Sequence, residues 1–376
     1  MAAKREKNLD QTGSTALRFS FDSALAGKDL VRWYRKNARP LPWRVLFATH
    51  KDPYHVWISE IMLQQTVIKA VLPAYERFLK AYPTVNLLAK TDEETLRLVV
   101  RGLGYYRRFG FLLKAARTIV TDYKGKMPVT FDEWKALPGI GDYTAAAISS
   151  IAFGEDAAVV DGNVERVFCR LLDIRLPPNL PRLKKEFKIL AASMIYKSDP
   201  GSFNQGLMEL GQTVCTVSQP SCPSCPLKKV CLAFERQSQH LAPAPKIKKN
   251  MQDLSMRLHA FRKGGKIGLV RRPADARFLG GTRGFFTEVL VENKRYRTDG
   301  TLVLTPGKSG KRQPLGSVKH HITHHKIEAQ VFVNQTVNQT DMKSGCLIEW
   351  LPFDQVEENL VSNLDRKAWR LIENTL

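Results

Sequence analysis

The sequence contains no run of about 18 apolar residues, and its first 22 residues include no apolar segment of the kind that a signal peptide needs. These absences predict a chain without a membrane span and with a polar, flexible tail over residues 1–22. We therefore expect a cytosolic protein, located in the nucleoid if the source is prokaryotic. Disulfides are rare in a reducing compartment, so the six cysteines require another explanation.

Acidic residues are few beside the basic ones. The chain has 36 Asp and Glu against 58 Lys and Arg, which gives a formal net charge of +22 at pH 7. This excess favours a polyanionic partner, and nucleic acid is the first candidate. The length of 376 residues exceeds the roughly 250–300 residues that one hydrophobic core serves, so two domains are expected.

The spacing of apolar residues changes along the chain. Between residues 23 and 235 it is helical, interrupted by prolines and glycines, which predicts eight to ten short helices. Residues 236–252 are expected to form a linker, because prolines and lysines dominate their centre. Residues 253–376 contain shorter apolar runs typical of strands, followed by a helix. The predicted strands are a hairpin over 258–272 around Gly264 and Gly265, and single strands at 285–292, 327–337 and 346–352. The fold class is therefore multidomain, with an all-α domain followed by an α+β domain.

Four cysteines lie within 17 residues, in the pattern C-x6-C-x2-C-x5-C. They are Cys215, Cys222, Cys225 and Cys231. Clustered thiols in a reducing compartment indicate metal ligands. Zinc sites usually offer two closely spaced pairs, and this segment has one. An iron–sulfur cluster needs four converging thiolates, which this spacing can supply. The spacing alone leaves both an iron–sulfur cluster and zinc open.

The segment LPGIGDYTAAAIS, residues 137–149, places Gly139 and Gly141 just before a helix that starts near Tyr143. The free N–H groups and positive dipole end of a helix favour an anion. In a basic protein that anion is expected to be a DNA phosphate, bound without sequence preference. The same turn is also compatible with an ordinary corner between two helices.

Two carboxylates are candidates for chemistry. Asp161 precedes a periodic apolar run, so it is expected to cap a helix, and the same carboxylate can also line a cleft. Glu60 has Trp57, Ile61 and Met62 as helical neighbours. It lies either at a solvent edge or in an apolar pocket, where its pKa would be raised enough for a general acid.

Several motifs occur in one order and are more specific together than singly. They are LPWR (41–44), DPYHVWISEIMLQQT (52–66), GLGYYRR (102–108), LPGIGDYTAAAI (137–148), VVDGNVERV (159–167) and the four cysteines. This combination resembles the adenine DNA glycosylase (MutY) family of helix-hairpin-helix glycosylases. The resemblance implies a helical domain in two halves with the DNA cleft between them. It also implies hydrolysis of the N-glycosidic bond of adenine opposite 8-oxoguanine or guanine, in base excision repair.

The resemblance also assigns roles to residues of the helical domain. By analogy Glu60 protonates the adenine ring, Asp161 stabilises the sugar cation and Asn163 orients the site. Gln65 and Tyr105 match positions that enter the base stack as the adenine is flipped out, a step that costs a few kcal/mol. The four cysteines match the ligands of a 4Fe-4S cluster. The implied partner is double-stranded DNA bound by a monomer.

The C-terminal domain carries KHHITHHK at residues 319–326. Spacing alone leaves a metal site and a phosphate-contacting loop open. The resemblance implies a Nudix-like domain in which Ile322, Thr323 and His324 match a Phe-Ser-His motif that recognises 8-oxoguanine. Thr323 keeps a hydroxyl, whereas Ile322 lacks the aromatic ring. No acidic REx2EE cluster is present, so no pyrophosphate hydrolysis is expected.

Two other functions compete with adenine excision. Endonuclease III-type enzymes remove oxidised pyrimidines and cut the strand through a lysine Schiff base. That lysine corresponds to Tyr143, and a phenol cannot form an imine, so strand scission is not expected. Tyr143 is instead expected to lie against the sugar or Asp161. A basic iron–sulfur DNA-binding protein without chemistry is the third interpretation, and the presence of both carboxylates argues against it.

Overall fold

The computed structural model describes residues 21–246, 251–272, 278–291, 294–296, 313–322, 324–334 and 348–375. Residues 1–20, most of the predicted tail, lie outside the described residues. The chain forms two compact units. The first unit comprises Met1–Ile61 and Thr118–Ile247, and the second unit comprises Met62–Arg117 and Lys248–Leu376. Contrary to the linear division expected from the sequence, the second unit joins a helical segment to the C-terminal sheet. No described helix is long and apolar enough to span a membrane.

Helices make up residues 23 to 235. They are α1 (Ser23–Asn37), α2 (Pro42–His50), α3 (Pro53–Leu63), α4 (Ile68–Ala81), α5 (Val85–Lys90), α6 (Glu93–Val99), α7 (Arg107–Asp122), α8 (Phe131–Ala136), α9 (Asp142–Phe153), α10 (Gly162–Leu171), α11 (Pro181–Met194), α12 (Pro200–Thr213) and α13 (Leu232–Glu235). The predicted all-α part is therefore confirmed.

The prediction of eight to ten helices was too low for this part of the described chain. Capping side chains start separate short helices within stretches of continuous apolar spacing. Thr84 caps α5, Asp92 caps α6, and Thr130 with Glu133 forms a capping box on α8. Not every proline interrupts a helix as the sequence analysis expects, because Pro73 lies inside α4. Short helices are thus specified by side chains at their ends as much as by their apolar faces.

The core of the first unit holds the segment that leads to Asp161. Phe168 of α10 and Phe187 of α11 pack against each other with ring centroids 5.8 Å apart and ring planes tilted by 53°. Asn204 of α12 is fully buried, and its amide donates to Ser150 Oγ (2.8 Å) and to the Ala157 carbonyl (2.7 Å). Buried amides require such partners, so these bonds fix the chain just before α10.

A mixed sheet makes up most of the C-terminal part of the second unit. Its described strands are β1 (Gln252–Lys263), β2 (Lys266–Arg271), β3 (Arg283–Gly284), β4 (Phe286–Val291), β5 (Lys294–Tyr296), β6 (Gly316–Ile322), β7 (His325–Asn334) and β8 (Ile348–Pro352). β1 pairs in parallel with β7 and antiparallel with β2 and β4. Alternate residues of β1 and β7 face a core that includes Trp369. The predicted α+β domain and its hairpin at Gly264 and Gly265 are confirmed.

The end of the chain differs from the prediction of one helix. It forms α14 (Phe353–Asn359) and α15 (Asn363–Glu373). The break occurs because Ser362 caps α15, with its Oγ accepting from the Asp365 backbone N–H at 3.0 Å. The cap was visible in the sequence but was hidden by the continuous apolar spacing around it.

Candidate active site

Glu60 is buried rather than at a solvent edge. It is on α3 and its residue surface is 8% exposed. Burial raises the pKa of its carboxyl to about 7, and the nearby Asp161 carboxylate adds to the increase. A hydrogen bond from Tyr143 and the charge of Arg44 oppose it. The carboxyl can therefore hold a proton near neutrality and release it, as a general acid must.

Tyr143 lies in the first turn of α9 and is half-buried. Its hydroxyl is 3.0 Å from Met208 Sδ and also within hydrogen-bonding reach of Glu60. One hydroxyl carries one hydrogen, and a carboxylate is a far better acceptor than a thioether. Burial, with the negative charges of Glu60 and Asp161, raises the pKa of the phenol well above its usual value. Tyr143 is thus a neutral donor in contact with Glu60.

Asp161 caps α10 and also lies close enough to Glu60 to affect its pKa. The expected helix cap is therefore confirmed, and the same carboxylate lies near Glu60. Asp161 Oδ1 accepts from the backbone N–H groups of Asn163 (2.9 Å) and Val164 (2.8 Å). Oδ2 accepts from Asn163 Nδ2 at 2.9 Å. Three donors therefore hold the carboxylate in one orientation.

Asn163 connects the Asp161 carboxylate to the cysteine segment. Its Oδ1 accepts from Arg166 Nη2 at 3.1 Å. The same guanidinium donates to the carbonyls of Gly211 (2.6 Å) and Cys215 (2.9 Å). A Cβ on Gly211 would lie 2.7 Å from Asn163 Cβ, so only glycine permits this approach. Sequence reasoning missed Arg166 and Gly211, although Arg166 stands in the quoted VVDGNVERV motif.

A second set of charges near Glu60 was also missed. Arg44, the last residue of LPWR, places Nη1 3.0 Å from Glu209 Oε2, and Arg39 Nε lies 2.5 Å from Glu209 Oε1. The Glu209 side chain is fully buried. Burial alone would raise its pKa, but the two guanidinium groups prevail and lower it. Glu209 therefore holds Arg44 in position, and the charge of Arg44 favours ionisation of Glu60.

The predicted hairpin joins α8 to α9. Gly139 has φ +77°, the left-handed region that glycine adopts most easily. Gly141 caps α9 without a side-chain hydrogen bond, and a Cβ there would meet open space. Lys135 and Lys188 lie 3.0 and 3.2 Å from Asp142, the first residue of the helix. The helix start therefore presents uncapped N–H groups flanked by two lysines, an arrangement suited to an anion.

Gln65 and Tyr105 lie in the second unit and share an unusual backbone. Their φ angles are +54° and +46°, a region that residues other than glycine seldom adopt. Arg108 is buried between the turns that carry them, and it donates to the Gln64 carbonyl and to Thr66 Oγ1 (2.9 Å). Burial lowers the pKa of Arg108 to about 10, so the guanidinium stays charged. The Tyr105 side chain remains exposed.

The four cysteines line one pocket, together with Arg170 and the segment around Lys228. Arg170 Nη1 lies 3.4 Å from Cys215 Sγ and 2.6 Å from the Thr216 carbonyl. Among the described residues, no three His, Cys, Asp or Glu side chains are close enough together to hold a single metal ion. The four thiols line one common space in the first unit.

Comparison with known proteins agrees with this geometry. The profile of the HhH-GPD superfamily of base excision DNA repair proteins matches residues 58–190. The adenine DNA glycosylase of Arabidopsis thaliana is 34% identical over 389 residues, covering 89% of this chain and 61% of the plant protein. The Homo sapiens adenine DNA glycosylase is 41% identical over 56% of this chain and 39% of the human protein.

This chain contains a domain of the HhH-GPD superfamily and is similar to adenine DNA glycosylases over most of its length. It spans between 39% and 63% of the length of the curated relatives cited here, which include the Buchnera aphidicola (Acyrthosiphon pisum strain) protein at 36% identity. Among solved structures, a thermostable thymine-DNA glycosylase superposes with a TM-score of 0.50 and 29% identity. That likeness covers 57% of this chain and 97% of the other. The helical part is thus a helix-hairpin-helix glycosylase domain.

The segment that the family resemblance assigns to 8-oxoguanine recognition is the turn between β6 and β7. Ile322 ends β6, and His324 lies in the turn with its ring 4.1 Å from that of His325. Thr323 lies outside the described residues. The parallel pairing of β1 with β7 secures this turn, since the Gln252 N–H donates to the His324 carbonyl at 2.9 Å. No metal-binding group of described residues includes these histidines.

Proposed function

We propose that this protein is a base excision repair enzyme that releases adenine from double-stranded DNA where the adenine is paired with 8-oxoguanine or guanine. The observation that carries the proposal is that two carboxyl groups lie close together in different surroundings. Glu60 is buried with a pKa near 7, whereas three hydrogen-bond donors hold the Asp161 carboxyl group in one orientation. An acid and a carboxylate about one sugar are what N-glycoside hydrolysis needs.

The reaction begins with proton transfer from Glu60 to a ring nitrogen of adenine, assisted by the Tyr143 hydroxyl. The C1′–N9 bond then breaks and leaves an oxocarbenium-like sugar. An Asp161 carboxylate about 4 Å from that cation contributes roughly 4 kcal/mol at an effective dielectric near 20. Water adds to C1′, and its proton returns to the Glu60 carboxylate. Adenine and an abasic site are the products.

The remaining residues act on the DNA. The uncapped start of α9, with Gly139 and Gly141, binds a backbone phosphate. Gln65 and Tyr105 enter the base stack when adenine leaves it, and their exposed, fixed positions support this role. The turn with Thr323 and His324 reads the 8-oxoguanine edge. These specific contacts act in addition to the excess of basic residues in the chain, which favours DNA binding in general.

Strand scission is not part of the proposed reaction. A lyase needs an amine within the site to attack the sugar and form an imine. Tyr143 supplies a neutral phenol in that place, and its raised pKa keeps it protonated. We therefore expect a monofunctional glycosylase.

Cys215, Cys222, Cys225 and Cys231 would hold a 4Fe-4S cluster. Their shared pocket brings four thiols to one site, as a 4Fe-4S cluster needs, and their spacing matches the family's cluster ligands. When bound, the cluster would supply cross-links that order the segment between α12 and α13. Arg166 then transmits this order to Asn163 and Asp161 through the carbonyl of Cys215.

The test is a base-release assay on duplexes that contain adenine opposite 8-oxoguanine, guanine or thymine, with and without hot alkali. The expected result is adenine release opposite 8-oxoguanine and guanine, with strand breaks only after alkali. Glu60→Gln should abolish release, while Glu76→Gln, at an exposed glutamate of α4, should not.

The same assay separates the competing functions. Breaks without alkali on a duplex with an oxidised pyrimidine would favour the endonuclease III type. Tight binding to every duplex without base release would favour a DNA-binding protein that lacks chemistry. Either result would contradict the proposal.

A further inference from the structure

The Tyr106 hydroxyl joins two segments that are 255 residues apart. It donates to the Val361 carbonyl at 2.8 Å and accepts from the Gly102 backbone N–H at 2.9 Å. One oxygen thus serves as donor and acceptor, and a phenylalanine could supply neither bond. Both partners belong to the second unit.

Gly102 begins the loop that ends in Tyr105. Gly102, Gly104 and Tyr105 all have positive φ, at +90°, +66° and +46°. A tyrosine keeps such a conformation only where its surroundings impose it. Two anchors do so, since Arg108 donates to the carbonyls of Leu103 (3.4 Å) and Gly104 (3.5 Å), and Tyr106 accepts from Gly102.

Val361 lies in the break between α14 and α15, immediately before the Ser362 cap. From α15, Lys367 Nζ donates to the Lys319 carbonyl of β6 at 2.8 Å. β6 ends at Ile322, next to the turn that contains His324. A continuous path of bonded elements therefore runs from the Tyr105 loop through Tyr106 and α15 to the β6–β7 turn.

Further contacts make this junction firm. Arg97 Nη1 donates to the Gly280 carbonyl at 3.0 Å, and Arg101 Nη1 donates to that of Glu358 at 2.9 Å. Glu94 pairs with Arg283 at 2.5 Å and also with Arg271. The bonds of Glu94 and Arg97 fix α6 to the segment around β2 and β3, and the bond of Arg101 joins the residue before Gly102 to α14. Tyr106 adds the bond that holds the Gly102 N–H itself.

We propose that Tyr106 is a specificity-determining positioning residue, which couples lesion reading at the β6–β7 turn to insertion of Tyr105 into the base stack. The proposal rests on the function proposed above, because it takes the lesion and base-stack roles of those two segments from it. Binding of the turn to 8-oxoguanine favours one placement of α15. Because Tyr106 bonds both Val361 and Gly102, that position of α15 also fixes the Tyr105 loop. When guanine replaces 8-oxoguanine, the β6–β7 turn gains less binding free energy, so the Tyr105 loop is held less firmly.

The experiment uses the full chain with Asp161→Asn, so that DNA stays intact. Dissociation constants are measured for duplexes with adenine opposite 8-oxoguanine and opposite guanine, and their ratio gives lesion preference. Tyr106→Phe should lower that ratio about tenfold, as expected for the loss of hydrogen bonds that matter in one complex only. Tyr82→Phe is the matched control, because that buried tyrosine of the second unit bonds Thr91 at 3.1 Å and should leave the ratio unchanged.

Two further variants test the path itself. In a Tyr105→Ala background, Tyr106→Phe should have no additional effect on the ratio. Lys367→Met, at an exposed position, removes the α15–β6 bond and should lower the ratio in the same direction, so the test survives if Tyr106→Phe does not fold.

An unchanged ratio, with both affinities reduced equally, would mean that Tyr106 is only structural and would overturn the inference. Failure of the proposed function looks different, because the protein without Asp161→Asn would then release no adenine from either duplex. Adenine release by that protein, combined with an unchanged ratio in Tyr106→Phe, would reject the coupling alone.

Discussion

The two compact units hold their candidate functional residues by different physical means. In the first unit, burial raises the pKa values of Glu60 and Tyr143, and hydrogen bonds orient Asp161. In the second unit, left-handed backbone angles and a buried arginine set the directions of Gln65 and Tyr105, whose side chains are not deeply buried. Proton transfer requires a tuned pKa, whereas insertion into a base stack requires an exposed side chain that cannot turn away. The comparison predicts that substitutions in each unit will fail in different ways.

The largest effect is expected from Asp161→Asn. Loss of the carboxylate removes about 4 kcal/mol of stabilisation from the sugar cation, which corresponds to a roughly thousandfold lower rate. Asparagine still caps a helix, so the melting temperature should change little. Single-turnover base release and thermal denaturation measure the two quantities. A rate within tenfold of the unchanged protein would contradict the assigned role.

The next largest effect is expected from Arg108→Lys in the second unit. An ammonium keeps the charge but cannot span the carbonyls of both turns, so Gln65 and Tyr105 lose their fixed directions. DNA affinity should fall about thirtyfold, measured by fluorescence anisotropy, while the pH dependence of base release stays the same. Arg107→Lys, at the exposed neighbour, is the control. A shifted pH profile in Arg108→Lys would contradict the distinction between the two units, because it would mean that the second unit also affects proton transfer.

A smaller effect is expected from Arg166→Ala, which tests whether the cysteine segment supports Asp161. The substitution removes the bonds that join Asn163 to the carbonyls of Gly211 and Cys215. Base release should slow about tenfold, and absorption near 400 nm from the cluster should diminish, since a bound 4Fe-4S group gives such a band. Arg175→Ala, at an exposed arginine paired with Asp173, is the comparison. Unchanged visible absorption and an unchanged rate of base release in Arg166→Ala would show that Arg166 does not support Asp161.

The smallest effect is expected from pH. The folded Glu60 has a pKa of about 7, above the ordinary 4.5, so the folded state holds its proton more tightly. The stability from this group is present below pH 4.5 and is lost as pH rises through about 7, by up to roughly 3 kcal/mol. Base release should also decline about fivefold between pH 7 and 8, as the acid form disappears. Urea unfolding of Glu60→Gln should lack this loss of stability, and an identical pH dependence in both proteins would assign it to another group.

Sequence patterns specified the elements whose causes are local. The Asp161 cap, the glycines of the 137–149 hairpin and the alternation of β1 and β7 were readable because each depends on residues a few positions apart. Failures were local as well, where caps at Thr84, Asp92 and Ser362 divided helices that apolar spacing had merged. The family motifs identified candidate residues but not the groups that hold them.

Tertiary structure decided the rest. The sequence by itself determined an all-α and an α+β part, a strongly basic composition, and the candidate carboxylates and cysteines. Whether Glu60 lay in a pocket, with Tyr143 against it, depended on residues 83 positions apart. The same holds for Arg44 with Glu209, and for Tyr106 with Val361. The pKa of a buried group and the conformation of a hydrogen-bonded loop depend on the folded surroundings. Desolvation and long-range hydrogen bonds exist only after distant segments have packed together.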